Sequence, residues 1–350
     1  MKINRIILIA FSLLFVSFSS YSQDKRTLET KVADLLARFP ANDLQMTDRM
    51  MGDMLTLGEQ GLKQICDNIV PAGTGNDTPQ CFAIESMSRF LSQKGKETER
   101  LMWEGLCISY VSTKKDNGVK DFFMKQLQIV GGSKSAESMK VYLTDKELCE
   151  PAAAVIIKSD PASAEIIFSE ALKNQQIPCA AVLMNHLGSL GSDKAVKEYI
   201  TWASSSDVNI KASAYYALAM SGSPDANAVL SAAAKNASYK WEPAASVESL
   251  LKYAEVAGKK GNLKASDKIC KLIMTECDEE TNIQYKTIAL NIYVGNHGID
   301  AMKILQTAAA HPNKKYRNAA MQISLKIQGS EAVKNWIAYF RKLSRLLSLN

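Results

Sequence analysis

The chain has 350 residues, 42 Lys and Arg against 36 Asp and Glu, a formal net charge of +6, and 47% apolar residues. A mild, interspersed positive charge excludes a basic nucleic-acid-binding surface as the organising feature. With few prolines and no low-complexity tail, the composition is that of an ordinary folded protein.

The first predicted element is a leader. "MKINRIILIAFSLLFVSFSSYSQDK" opens with Lys2 and Arg5, continues with an apolar run from Ile6 to Phe18, and reaches the small-residue exit Ser20-Tyr21-Ser22. This is the pattern of a secretory signal peptide over 1–22, cut before Gln23. An uncleaved anchor would need an apolar run of about 20 residues, and this one is shorter. No Cys stands at the cut to accept a lipid, and no later run is long and apolar enough to span a bilayer. The expectation is an exported chain, periplasmic or extracellular, without a membrane segment after cleavage. The mature part, 23–350, is about 328 residues with a net charge near +4, long enough for one large solenoid or two globular domains.

From there the pattern is helical almost throughout. Ala195, Val196, Tyr199, Ile200 and Ala203 mark one helix face, and Ala332, Val333, Trp336, Ile337 and Phe340 mark another. Alternating strand patterns are scarce. Helices this short are marginal alone and need neighbours to cover their apolar stripes. Breaks rich in Gly, Ser, Asp and Pro separate them: Gly58 to Gly61, Gln93 to Gly95, Gly131 to Ser133, Ser159 to Pro161, Gly191 to Asp193, Gly222 to Pro224, Gly258 to Asn262, Gly295 to Gly298, and Gln328 to Ser330. Gly191 and Gly222 lie 31 residues apart, and Gly295 and Gly329 lie 34 apart. A period of 20 to 50 residues is the mark of stacked repeats. Gly suits the left-handed end of a helix, Ser or Asp caps the next one, and Pro161 and Pro224 suit a first helical position.

The segments around these breaks resemble the HEAT repeat of the armadillo-like α-solenoids. "DVNIKASAYYALAMSG" carries Asp207, Ile210, Lys211, Ala212, Ala214, Ala217 and Leu218. "HPNKKYRNAAMQISLKIQG" carries Pro312, Tyr316, Arg317, Ala319, Ala320 and Leu325, and "IPCAAVLMNHLGSLG" carries Pro178, Ala180, Ala181, Leu187 and Gly188. "LGEQGLKQI" looks like the second helix of such a unit. The resemblance covers about 45–345. It implies an all-α fold, a right-handed α-α superhelix of about eight to nine helical pairs, as a single domain over 23–350. Small Ala side chains would let first helices stack closely while larger residues fill between layers.

No short-range catalytic signature is present. His186, His297 and His311 fall in separate segments, and His-Glu-x-x-His, Cys-x-x-Cys and Gly-x-Ser-x-Gly are absent. "GTGND" at 73–77 lacks the Lys-Ser/Thr of a phosphate loop and reads as an exposed loop. Asp278-Glu279-Glu280 could hold a cation or simply sit at a helix start, where the dipole favours acids. The expectation is no catalytic residue, no metal and no cofactor.

Three residues are candidates for binding. Lys211 and Arg317 recur near one register, as a basic ladder for an acidic partner or as contacts between repeats. Trp241, in "SYKWEPAAS", is the tryptophan expected to be exposed, whereas Trp103 and Trp336 fall in apolar stripes. Among seven Cys, Cys66 and Cys81 flank "PAGTGNDTP" and form the candidate disulfide. Cys149 and Cys179 hold similar places in successive repeats, so stacked helices would bring them together as a second candidate pair, and Cys270 and Cys277 are too far apart along one helix to join.

The reading that follows is an exported scaffold for protein–protein or domain–domain interaction, with no site of chemistry of its own. An alternative comes from a further resemblance. The leader and array are similar to the N-terminal region of secreted Bacteroidetes proteins in which a HEAT-like solenoid precedes a β-jelly-roll of the 3-keto-disaccharide hydrolase type. That resemblance implies a helical accessory to sugar-active chemistry with a carbohydrate-related partner. No β-rich segment follows "YFRKLSRLLSLN", so no catalytic residue carries over.

Overall fold

A computed structural model describes residues 26–41 and 43–347, so the expected leader over 1–22 lies outside the described residues. The described chain is helical, and no strand occurs among the described residues. No helix among them is long and apolar enough to cross a membrane.

The described residues fall into two compact units, one ending at Leu106 and one beginning at Cys107, where the sequence pattern suggests one array over 23–350. Local packing explains the difference. In the first unit α1 (Leu28–Leu36), α2 (Leu44–Thr56), α3 (Gly58–Asp67) and α4 (Thr78–Leu91) each touch the other three, so they form a small bundle rather than a stack. Met50, Met51, Met54, Leu62, Ile65 and Ile84 are its fully buried core. Gly58, at φ +66°, lets α2 hand over to α3 through Leu57 alone. The division falls within α5 (Glu97–Thr113).

The second unit is a run of helical pairs. The first helices are α6 (Asn117–Val130), α8 (Cys149–Ser159), α10 (Ala180–Ser189), α12 (Val208–Ser221), α14 (Ser246–Lys259), α16 (Ile283–His297) and α18 (Lys314–Ser324). The second helices are α7 (Ser133–Met139), α9 (Pro161–Ala171), α11 (Val196–Trp202), α13 (Pro224–Asn236), α15 (Leu263–Glu276), α17 (Met302–Ala309) and α19 (Ser330–Leu347). Each first helix packs on the next first helix, from α6 through to α18. Second helices touch in the other layer, α7 on α9, α11 on α13, and α17 on α19. Two layers with nearest-neighbour contacts are the packing of an α-solenoid.

The punctuation works as its chemistry requires. Gly191, Gly222, Gly261, Gly298 and Gly329 have positive φ at their breaks. Side-chain oxygens of Asp160, Asp207, Ser223, Asn262 and Asn313 accept backbone N–H groups at the helix starts that follow. Gly295 is instead inside α16.

Small residues do set the spacing of the first layer. A Cβ on Gly188 of α10 would lie 2.7 Å from the Tyr216 ring and 3.2 Å from Ala217 Cα of α12. Gly188→Leu should therefore cost about 1–3 kcal/mol by overpacking. A urea titration followed by circular dichroism checks this, and an unchanged midpoint would mean that α10 and α12 can part freely.

One covalent link crosses the stack. Cys149, which begins α8, is bonded to Cys179, the residue before α10, with Cα atoms 5.8 Å apart. The disulfide therefore joins one pair to the next. Cys66 and Cys81 are not bonded to each other, a correction to the pairing expected from the loop between them. Cys66 is fully buried on the core face of α3 with Leu62 and Ile65. The Cys81 thiol lies by Asp77, and burial first, then the Asp77 and Glu85 charges, push it up to about 11. The loop is closed another way: Val70 N–H donates to Asp77 Oδ2 at 3.1 Å.

Candidate functional site

The connection between α13 and α14, residues 237–245, has an unusual backbone. Ser238, Tyr239 and Ala245 sit at φ +52°, +54° and +56°, the non-glycine positions with left-handed φ among the described residues. Each such residue costs on the order of 1–2 kcal/mol because Cβ crowds the following carbonyl. Hydrogen bonds hold the loop in this shape. Ser238 and Tyr239 N–H donate to the Lys235 and Ala234 carbonyls at 2.8 and 3.0 Å, folding the end of α13 back. Ala244 and Ser246 N–H donate to Glu242 Oε2 and Oε1 at 2.6 and 2.7 Å, building the start of α14. Burial works to raise the Glu242 carboxyl. The N–H bonds, with the Lys211 charge beyond them, outweigh it and hold Glu242 below the usual range.

This framework presents Trp241. Its side chain is 69% exposed, whereas Trp103 and Trp202 are buried and Trp336 is half-buried against the core of the last pairs. The sequence reading of Trp103 as core and Trp241 as exposed agrees with these positions. Nothing in the sequence announced the strained backbone, because no glycine marks it; Pro243 was the visible break signal.

Lys211, Trp241 and Arg317 lie on one edge, where a second helix gives way to the next first helix: Lys211 in the first turn of α12, Trp241 ahead of α14, and Arg317 in the first turn of α18. The two basic residues are drawn into the fold. The Arg317 guanidinium donates from Nη1 to the His311 and Pro312 carbonyls at 2.7 and 2.8 Å, bracing its own turn. Lys211 is half-buried, and its charge helps hold the Glu242 carboxyl below the usual range. The Arg317 guanidinium is thus held within its own repeat.

The acidic trio after α15 completes that edge. Asp278 pairs with Lys286 at 2.7 Å and His311 at 2.8 Å. Glu279 pairs with Lys240 at 3.0 Å, and Glu280 pairs with Lys315 and accepts from Asn313 at 2.8 Å. All three carboxylates are held below the ordinary range, by the Lys286, Lys240 and Lys315 hydrogen bonds respectively. Three neighbouring acids thus tie together the loops ahead of α14, α16 and α18. Asn313 N–H donates to His311 Nδ1 at 3.1 Å, which leaves Nε2 to carry the proton toward Asp278.

His311 also lines a cavity of about 790 Å³ with Gln306 and Tyr339, and a smaller one of about 310 Å³ with Lys271 and Tyr316. The other histidines have separate neighbours. His297 lies 2.8 Å from Asp267, and His186 packs edge-on against Phe168, where burial lowers its pKa. Among the described residues no three His, Cys, Asp or Glu side chains converge as metal ligands. No family model matches the chain, and no curated protein matches it by sequence.

Proposed function

We propose that the chain is an exported, HEAT-like repeat scaffold that binds another protein through the 237–245 loop, with Trp241 as the anchor. One observation carries the reading: an exposed tryptophan on a loop with three left-handed non-glycine residues. Strain of this kind persists where the surrounding structure over-determines it, and it clusters at binding sites. A rigidly presented indole is the side chain that most often dominates a protein interface. The stacked array supplies the rigid support, and the absence of a short catalytic motif fits a binding role. The Cys149–Cys179 disulfide supports export, since such bonds persist in oxidising compartments.

A second reading keeps the loop and changes its ligand. An exposed indole face also stacks on a pyranose ring, which would fit an accessory to sugar-active chemistry.

The test compares the purified chain with Trp241→Ala, each immobilised and exposed to periplasmic and outer-membrane extract of the source organism, with mass spectrometry of what stays. The substitution is at an exposed site, so stability should change by less than about 0.5 kcal/mol. The expected result is a protein retained by the native chain and lost with the variant. Equal retention by both would remove the loop from the mechanism, and retention by neither would overturn the scaffold reading. Recovery of a soluble glycan on the native chain alone would move the assignment to the second reading.

A further inference from the structure

A groove crosses the first-helix layer of the last three pairs, starting at Glu248 in the first turn of α14, just past the 237–245 loop. It has a volume of about 430 Å³ and is lined by residues of α14 and α16 together with Lys326, just past α18. Sites for small ligands start at about this size.

The two ends of the groove differ in charge. At one end, Tyr285 OH donates to Glu248 Oε1 at 2.6 Å, while Glu248 Oε2 is buried without a hydrogen-bond partner. A buried acceptor left unpaired costs about 1–3 kcal/mol, more when charged, so this oxygen is set for a donor. Toward the other end, Lys252 and Lys259 share one carboxylate, Glu255, at 2.8 and 2.6 Å. Lys326 donates to the neutral Asn291 Oδ1 at 2.6 Å. Three ammonium groups thus stand against one carboxylate there.

The register sets the distance between the ends. Tyr285 meets Glu248, and Asn296 meets Gly258, so α14 and α16 run parallel. Asn291 lies six residues beyond Tyr285, which is about 9 Å along the helix axis. An extended tripeptide spans about 10 Å. Between the ends the wall is apolar, with Ile288 partly exposed. Gly295 leaves open space, since a Cβ there would meet nothing within 4 Å. Glycine inside a helix costs roughly 0.5–1 kcal/mol relative to alanine, and at this position its consequence is an unobstructed groove.

We infer that the groove binds a short peptide with free termini, about three residues long. Its ammonium donates to Glu248 Oε2, its carboxylate is held by Lys326 with Lys259, and an apolar central side chain lies on Ile288.

The test is isothermal titration of the purified chain with L-alanyl-L-leucyl-L-alanine and with its N-acetyl and C-amide forms. Saturable binding is expected for the unblocked peptide. Each block should weaken it at least about ten-fold, the loss of one charge-assisted contact. Glu248→Gln should reproduce the acetyl effect and Lys326→Met the amide effect. Gly295→Phe should abolish binding with the circular dichroism spectrum unchanged, because its side chain enters open space. No saturable binding of the unblocked peptide would overturn the assignment. So would affinity indifferent to both blocks, or binding that survives Gly295→Phe.

Discussion

Replacing Cys149 and Cys179 together by Ser should lower the thermal midpoint of the 107–350 unit by roughly 10 °C. The disulfide closes a loop of 30 residues, and a cross-link of that length stabilises by about 3–4 kcal/mol, chiefly by restricting the unfolded chain. In a unit of this size each kcal/mol moves the midpoint by about 2–4 °C. The effect is large for a second reason. Repeat arrays hold each pair only through its neighbours, and this bond ties α8 to the entry of α10 across one such interface. Circular dichroism melts of the native chain with and without a phosphine reductant give the matching experiment. Reductant should bring the native chain down to the level of the double variant and leave the variant unmoved. Cys270 and Cys277 should not compensate: burial raises them to about 12 and 11, so neither forms a reactive thiolate near neutral pH. An unchanged midpoint in the double variant would show that the stack carries the interface without the bond.

The helical fold was legible because its signals are local. Gly222-Ser223-Pro224 states a left-handed stop, a cap and a first-turn proline within three residues, and the structure uses each one that way. The grouping into two units was not legible, since whether α1 to α4 bundle or stack depends on contacts between elements rather than on any one element. The disulfide was legible only through the repeat, as the second of two candidate pairs. Cys66 and Cys81 flank a loop that a hydrogen bond from Val70 to Asp77 already closes, whereas Cys149 and Cys179 meet only because α8 packs on α10. Among the binding candidates, the exposure of Trp241 could be read from its polar neighbours at a helix entry. The bracing of Arg317 could not, because the carbonyls of His311 and Pro312 become partners only once the turn has formed. The groove was invisible for a related reason: Glu248, Asn291 and Lys326 belong to three successive pairs and share no motif.

Trp103→Ala should destabilise the first unit by about 3–5 kcal/mol, the range for deleting a large buried aromatic. Trp103 is fully buried, and its Nε1–H donates to Ser88 Oγ at 2.9 Å. Ser88, itself fully buried, donates its hydroxyl hydrogen bond to the Ile84 carbonyl at 3.1 Å, one turn back in α4. The indole therefore fills the core of the bundle and satisfies a hydroxyl that no water reaches. Trp103→Phe separates these contributions. It keeps most of the apolar volume and removes the donor, so its cost should be nearer 1–2 kcal/mol, the value of one buried hydrogen bond with a small cavity added. A small unit has little stability to lose, since domains hold only about 5–15 kcal/mol in all and small ones lie at the low end. The alanine variant should accordingly open the first unit to proteolysis, with cuts concentrated in 26–106, while the phenylalanine variant stays resistant. Urea titrations followed by circular dichroism give the two costs. If the phenylalanine variant loses as much as the alanine variant, the hydrogen-bonded chain through Ser88 rather than the packed volume holds α4 and α5 together.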